Sequence, residues 1–109
     1  MKKVFVTFTL KKTVHGGKKL PIVPHDKIKY GCPLYFKDIP ALYKNAWDCK
    51  LIFLEEKYGS PIYPGQTVDR VEFQFLSPDI VIPHLYVGTK FDMWEAGIIG
   101  HGKVIEIID

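Results

Sequence analysis

Arginine is almost missing from this chain. Arg70 is the only one, although Lys and Arg together number 15 in 109 residues. Base-edge readout and bidentate phosphate grip favour the planar guanidinium fork, so a lysine-only surface supports weak, salt-sensitive nucleic-acid binding at most. Cysteine is scarce too. Cys32 and Cys49 are too few for a disulfide framework and fit a reducing compartment, with two separate thiols as the expected state. Serine is limited to Ser60 and Ser77, each followed by proline, and neither stands in a Gly-x-Ser-x-Gly elbow. No apolar run is long enough to cross a bilayer. Met1-Lys2-Lys3 ahead of Val4–Leu10 has the outline of a signal peptide. Thr7 and Thr9 interrupt that run, Lys11-Lys12 close it, and no small-x-small cleavage site follows. The expectation is a cytoplasmic protein with no membrane partner.

Catalytic and cofactor motifs are missing as well. Neither Gly17-Lys18 nor Gly102-Lys103 is followed by the Ser or Thr of a P-loop, so no nucleotide site is expected. Gly97, Gly100 and Gly102 crowd one hairpin, but strands flank them on both sides where a dinucleotide fingerprint needs a helix. They read instead as positions of positive φ or close approach at a barrel corner. His15, His25, His84 and His101 read as loop or turn residues, none with a Cys or carboxylate at metal-ligand spacing. Glu55-Glu56 and Asp92/Glu95 are conceivable acid pairs, but Glu55-Glu56 alternate across a strand end and face apart. No nucleophile–base pair is visible, so neither enzyme activity, cofactor nor metal is expected.

What is present is an ordinary globular composition, 47% hydrophobic and 25% charged, in a length that suits one domain spanning 1–109. Short alternating runs punctuated by Gly and Pro indicate a sandwich or barrel. Val4, Val6, Phe8 and Leu10 alternate in a first strand, Leu34–Lys37 form a second, and Cys49, Leu51 and Phe53 point inward in a third. Residues 20–31, with Pro21, Pro24 and Gly31, read as a loop. The clearest strand is 68–76, with Val71, Phe73 and Phe75 inward and Arg70, Glu72 and Gln74 outward. Phe91 and Met93 mark a fifth strand and Lys103–Ile108 a sixth. Tyr58-Gly59-Ser60-Pro61 and Pro64-Gly65 are turns, the second suited to type II. The single helical candidate is Asp38–Ala46, about two turns with Asp38 as cap and Pro40 in the first turn. The predicted fold is an all-β, six-stranded antiparallel closed barrel with one short helix.

The order of several motifs adds to this. Pro64-Gly65-Gln66-Thr67-Val68 opens an alternating strand. Gly88-Thr89-Lys90-Phe91 follows, then Glu95-Ala96-Gly97, then Gly100-His101-Gly102-Lys103-Val104. Upstream stand Gly16-Gly17-Lys18-Lys19-Leu20-Pro21 and Pro33-Leu34-Tyr35-Phe36-Lys37. In that order and spacing the chain resembles the C-terminal β-barrel domain of elongation factor Tu, over nearly its whole length. The resemblance implies a barrel without chemistry of its own, one that contacts aminoacyl-tRNA, a GTPase domain and an exchange factor. Two contact elements differ here. Lys37 runs into Asp38-Ile39-Pro40 where the family continues with Thr-Thr, and Glu95-Ala96-Gly97-Ile98 lacks the arginine of the family's turn. No GTPase domain stands in front of the barrel in these residues, so nucleotide-switched tRNA delivery is not expected.

Charge and aromatics supply the candidate contacts. Residues 1–50 hold 11 Lys against 3 acids, and residues 51–109 hold 4 basic and 9 acidic residues. A barrel interleaves its halves and mixes those charges. Phe8, Phe36, Phe53, Phe73, Phe75 and Phe91 fall on inward positions, while Phe5, Tyr35 and Trp94 fall on the other face. The 38–48 segment departs most from the family and groups Leu42, Tyr43 and Trp47. The expected function is a non-catalytic protein-binding module, as in an immunity, antitoxin or decoy protein, with Tyr43, Lys44, Trp47 and Trp94 as contacts. Trp47 is expected to be mostly covered, with Tyr43 and Lys44 presented outward. The alternative is an accessory RNA-binding protein, with tRNA as the RNA, using Lys18, Lys19 and Lys37.

Overall fold

The computed structural model describes residues 2–23, 30–52 and 61–109. Its element order is β1 (Lys3–Leu10), β2 (Tyr30–Tyr35), β3 (Trp47–Ile52), β4 (Thr67–Phe75), α1 (Pro78–Val81), β5 (Lys90–Trp94) and β6 (Ile98–Ile108). α1 continues as a 3-10 turn, Ile82–His84, to make one short helix of seven residues, and a separate 3-10 turn spans Thr13–His15. The six strands close into an antiparallel barrel in the order β1-β4-β3-β2-β5-β6, with β6 returning to β1. The predicted barrel is therefore observed.

Period-two alternation sets which residues fill it. Val4, Val6, Phe8 and Leu10 of β1 are buried, as are Val71, Phe73 and Phe75 of β4. Gln74 is exposed, and Arg70 and Glu72 are partly so. Aromatic rings meet in the middle: Phe73 lies 5.9 Å from Phe8 and 5.5 Å from Phe91, and Phe36 lies 6.2 Å from Phe91. Register shifts at Val6/Phe8, Phe5/Val6 and Met93/Trp94 bend the strands, as closure of so small a barrel requires. Gly102 leaves space for the rings, because a Cβ there would sit 2.5 Å from Phe91 Cζ and from the Thr7 carbonyl oxygen. Pro64-Gly65 forms the expected type II turn, with Gly65 at φ 92° and Gln66 N–H donating to Tyr63 O at 3.0 Å.

Antiparallel order puts the 36–46 and 76–89 connections at one end of the barrel. Phe36, Ile39 and Leu42 from the first, with Val81 and Leu85 from the second, join the central apolar cluster there. At the other end Ile22 and Ile62 exchange backbone hydrogen bonds of 2.9 and 2.8 Å, and both are buried. The reading of 20–31 as loop is corrected at its end, where Tyr30 and Gly31 already belong to β2; Ile22 joins the core cluster through this isolated bridge, and 24–29 lie outside the described residues. Cys32 and Cys49 are free, buried and directly opposite each other across β2 and β3. The inward Phe53, the Glu55-Glu56 strand end, the Tyr58–Ser60 part of the turn, and Pro24 and His25 lie outside the described residues.

The helix is displaced from its expected place. Residues 38–46 form successive turns, and the helix stands at 78–84 instead. In the turns only Tyr43 N–H reaches back four residues, to Ile39 O at 2.9 Å. The Leu42 carbonyl, which a helix would offer to Ala46, accepts instead from Asn45 N and from the Trp47 indole Nε1 at 2.9 Å. Pro78 at the first helical position starts the real helix.

Candidate functional site

The 36–46 connection is amphipathic over a few residues. Ile39 and Leu42 turn inward and are buried, while Tyr43 stays 49% exposed with the Lys44 ammonium 5.9 Å from its ring centre. Trp47 is partly buried against the core, its Nε1 held by the Leu42 carbonyl. The 76–89 connection has the same division of labour. Val81 and Leu85 are buried, and Leu76, Ile80, Tyr86 and Val87 are 55–73% exposed. Leu76 N–H donates to Asp48 O at 3.0 Å, which ties the root of this connection to the residue after Trp47. One barrel end therefore presents aromatic and aliphatic side chains from two anchored connections.

Trp94 is not part of that end. β5 runs from Lys90 beside the 76–89 connection to Trp94 at its far end, and Trp94 packs edge-on against Tyr35 at 5.7 Å. Trp94 stays 39% exposed beside that ring.

The three candidate lysines are also dispersed. Lys18 pairs with Glu95 at 2.6 Å in the β5–β6 turn, lies 5.4 Å from the centre of the Tyr30 ring, and keeps only 11% of its side chain exposed. Tyr30 Oη donates to the same Glu95 oxygen at 2.5 Å. Burial, then that hydrogen bond, raise the Tyr30 hydroxyl far above its ordinary value. The hydrogen bonds from Lys18 and Tyr30 hold the Glu95 carboxyl below its own. Lys37 sits at the opposite end, beyond β2, and pairs with Asp92 at 2.6 Å. Lys19 is exposed.

A constellation not anticipated from the sequence stands on the outer wall. Residues directly opposite each other run Tyr35–Asp92–His101–Thr9–Thr67 across β2, β5, β6, β1 and β4. His101 lies on a strand, not in a turn, and its Nδ1 is 2.6 Å from Asp92 Oδ1. Thr9 and Thr67 share a 2.7 Å hydroxyl hydrogen bond. Asp92 is only 7% exposed although it faces outward. Burial raises its carboxyl, but the pairing with Lys37 and the hydrogen bond with His101 outweigh that and leave the group below its ordinary value. The signal for this pair was the hairpin register, counted back from Ala96-Gly97. The shift between Met93 and Trp94 defeats that count. Among the described residues no group of three or more His, Cys, Asp or Glu side chains is arranged to hold a metal ion.

The two depressed carboxyls imply an acid-side loss of stability. A carboxyl lower in the folded than in the unfolded chain stabilises the fold above its unfolded pKa, near 4, and loses that contribution as pH falls through the folded value. Unfolding free energy from urea titrations is expected to fall from pH 5 to pH 3, and less steeply in Asp92→Asn. Identical slopes in both proteins would contradict the role given to Asp92.

A comparison with protein-family models finds no match for this chain, and neither does a comparison with curated proteins.

Proposed function

We propose that this barrel is a non-catalytic binding module that recognises a protein partner through the end carrying the 36–46 and 76–89 connections. The observation that carries the reading is the exposure there of Tyr43, Leu76, Ile80, Tyr86 and Val87, while the core beneath is already closed by Ile39, Leu42, Val81 and Leu85. Folding does not use those outer side chains. Apolar and aromatic groups held on anchored turns lose little conformational freedom on binding, which suits them to anchor an interface. Lys44 adds a cation beside Tyr43, so a partner with an acidic rim fits. An immunity or decoy role follows the resemblance to the translation-factor barrel, because a free copy of such a surface competes for whatever binds it. The RNA reading is weaker, since Glu95 and Asp92 already neutralise Lys18 and Lys37.

The test is a pull-down from lysate with wild type and a Tyr43→Ala/Lys44→Ala double variant, followed by affinity measurement on the captured protein. Both side chains are exposed, so the thermal midpoint is expected to hold while binding weakens by about 2 kcal/mol or more, roughly 30-fold. Identical partner lists and affinities would remove this end from the functional account.

A further inference from the structure

Lys90 opens β5, and Lys103 lies directly opposite it on β6. Like charges facing each other across an antiparallel pair repel. Elsewhere on the wall the polar pairs are complementary: Asp92 faces His101, Thr9 faces Thr67, and Arg70 pairs with Glu106. Among the described residues neither Lys90 nor Lys103 forms an ion pair. The two lysines border adjoining hollows of about 240 and 220 Å³ that share Lys90, His101 and Gly102. Tyr35, Lys37, Asp38, Phe91 and Asp92 complete the first hollow, and Thr7, Phe8, Thr9 and Lys103 the second.

We propose that this groove holds the phosphate group of a small ligand between the Lys90 and Lys103 ammonium groups, with His101 Nε2 as the third contact. The neighbouring carboxylate does not cancel the lysine pair, because Asp92 already carries Lys37 on one oxygen and His101 on the other, each at 2.6 Å. The contact through Nδ1 orients the imidazole, and among the described residues Nε2 has no partner; in the imidazolium form Nε2–H donates to a phosphate oxygen while Nδ1–H stays on Asp92. Asp38 stays exposed on the side of the first hollow away from Lys103. The hydroxyls contribute less, since Thr7 donates to Val68 O at 2.8 Å and Thr9 is engaged with Thr67. A small ligand fits better than a polynucleotide. The groove offers no stacking platform, because Tyr35 is packed on Trp94 and the other two aromatics that line it, Phe8 and Phe91, are buried in the core, and it contains no arginine.

The test is an NMR titration of backbone amides with inorganic phosphate, phenyl phosphate and a ten-nucleotide RNA, against sodium chloride at matched ionic strength. Saturable shifts confined to the neighbourhood of Lys90, His101 and Lys103 are expected with both phosphates. A Lys90→Gln/Lys103→Gln variant should bind at least tenfold more weakly, and His101→Gln should weaken binding as well. Removing the like-charge pair should leave the thermal midpoint unchanged or raise it, so lost binding cannot be confused with lost folding. Shifts spread over all lysines without saturation, equal affinity in the double variant, or binding of RNA alone would each overturn the proposal.

Discussion

Phe73→Ala is expected to destabilise the barrel by about 3–5 kcal/mol, read as a large drop in the urea midpoint at unchanged slope. Phe73 is 2% exposed, and its strand neighbours Val4 and Leu51 fix the backbone on either side. The ring contacts Phe8 and Phe91, which come from β1 and β5, so it spans the interior and touches strands far apart in sequence. The backbone cannot collapse to fill the space an alanine would leave, because closed strands hold it on every side. The loss is large against the roughly 5–15 kcal/mol that hold a domain of this kind together. An unchanged midpoint would mean that the aromatic cluster is not the core of this fold. Gly102 supports the same view from the opposite direction, since the Phe91 ring occupies the place where its Cβ would be.

How far the fold can be read from the chain depends on which forces act locally. Alternation in 68–75 and 4–10 survives because each strand has one wet and one dry face, and that pattern is written residue by residue. The Pro64-Gly65 turn survives because its backbone angles demand those two residues. The 38–46 segment misleads because capping and spacing describe a helix, while the deciding hydrogen bond comes from the Trp47 indole to the Leu42 carbonyl. α1 is hidden for a related reason: Ser77-Pro78 and Pro83 look like turn residues, yet Val81 and Leu85 need the helical geometry to reach the core. The candidate surfaces follow the same division. Outward Tyr43 and Lys44 and a largely covered Trp47 agree with the local pattern. The Asp92–His101–Lys37 cluster and the sequestering of Lys18 by Glu95 depend on barrel closure and on a register shift, neither of which leaves a local trace.

Cys32 is expected to resist thiol reagents in the folded chain by a factor of about 30 relative to the unfolded one, and by more once steric exclusion is counted, and Cys49 to be protected in the same direction. Each is 2% exposed. Burial pushes the Cys32 thiol up from 9.0 to about 12, and burial likewise drives Cys49 well above its ordinary value. At neutral pH that change lowers the thiolate fraction of Cys32 roughly a thousandfold, and the greater basicity of the remaining thiolate recovers only about half of that on a logarithmic scale. The Cys49 thiol also donates to the Cys32 carbonyl oxygen at 3.2 Å, which favours the protonated form. Labelling with a chromogenic disulfide at pH 7.5 should therefore be slow in buffer and fast in 6 M guanidinium. It should accelerate with pH in both states, because only the thiolate attacks. The two residues face each other across β2 and β3, so their Cα atoms lie within the span a disulfide requires. Protection consequently rests on burial and not on distance: when the hairpin opens, both thiols are exposed together and the reagent should release two equivalents in one phase. Rapid labelling of either thiol in the native protein would show that the β2–β3 seam is open to solvent.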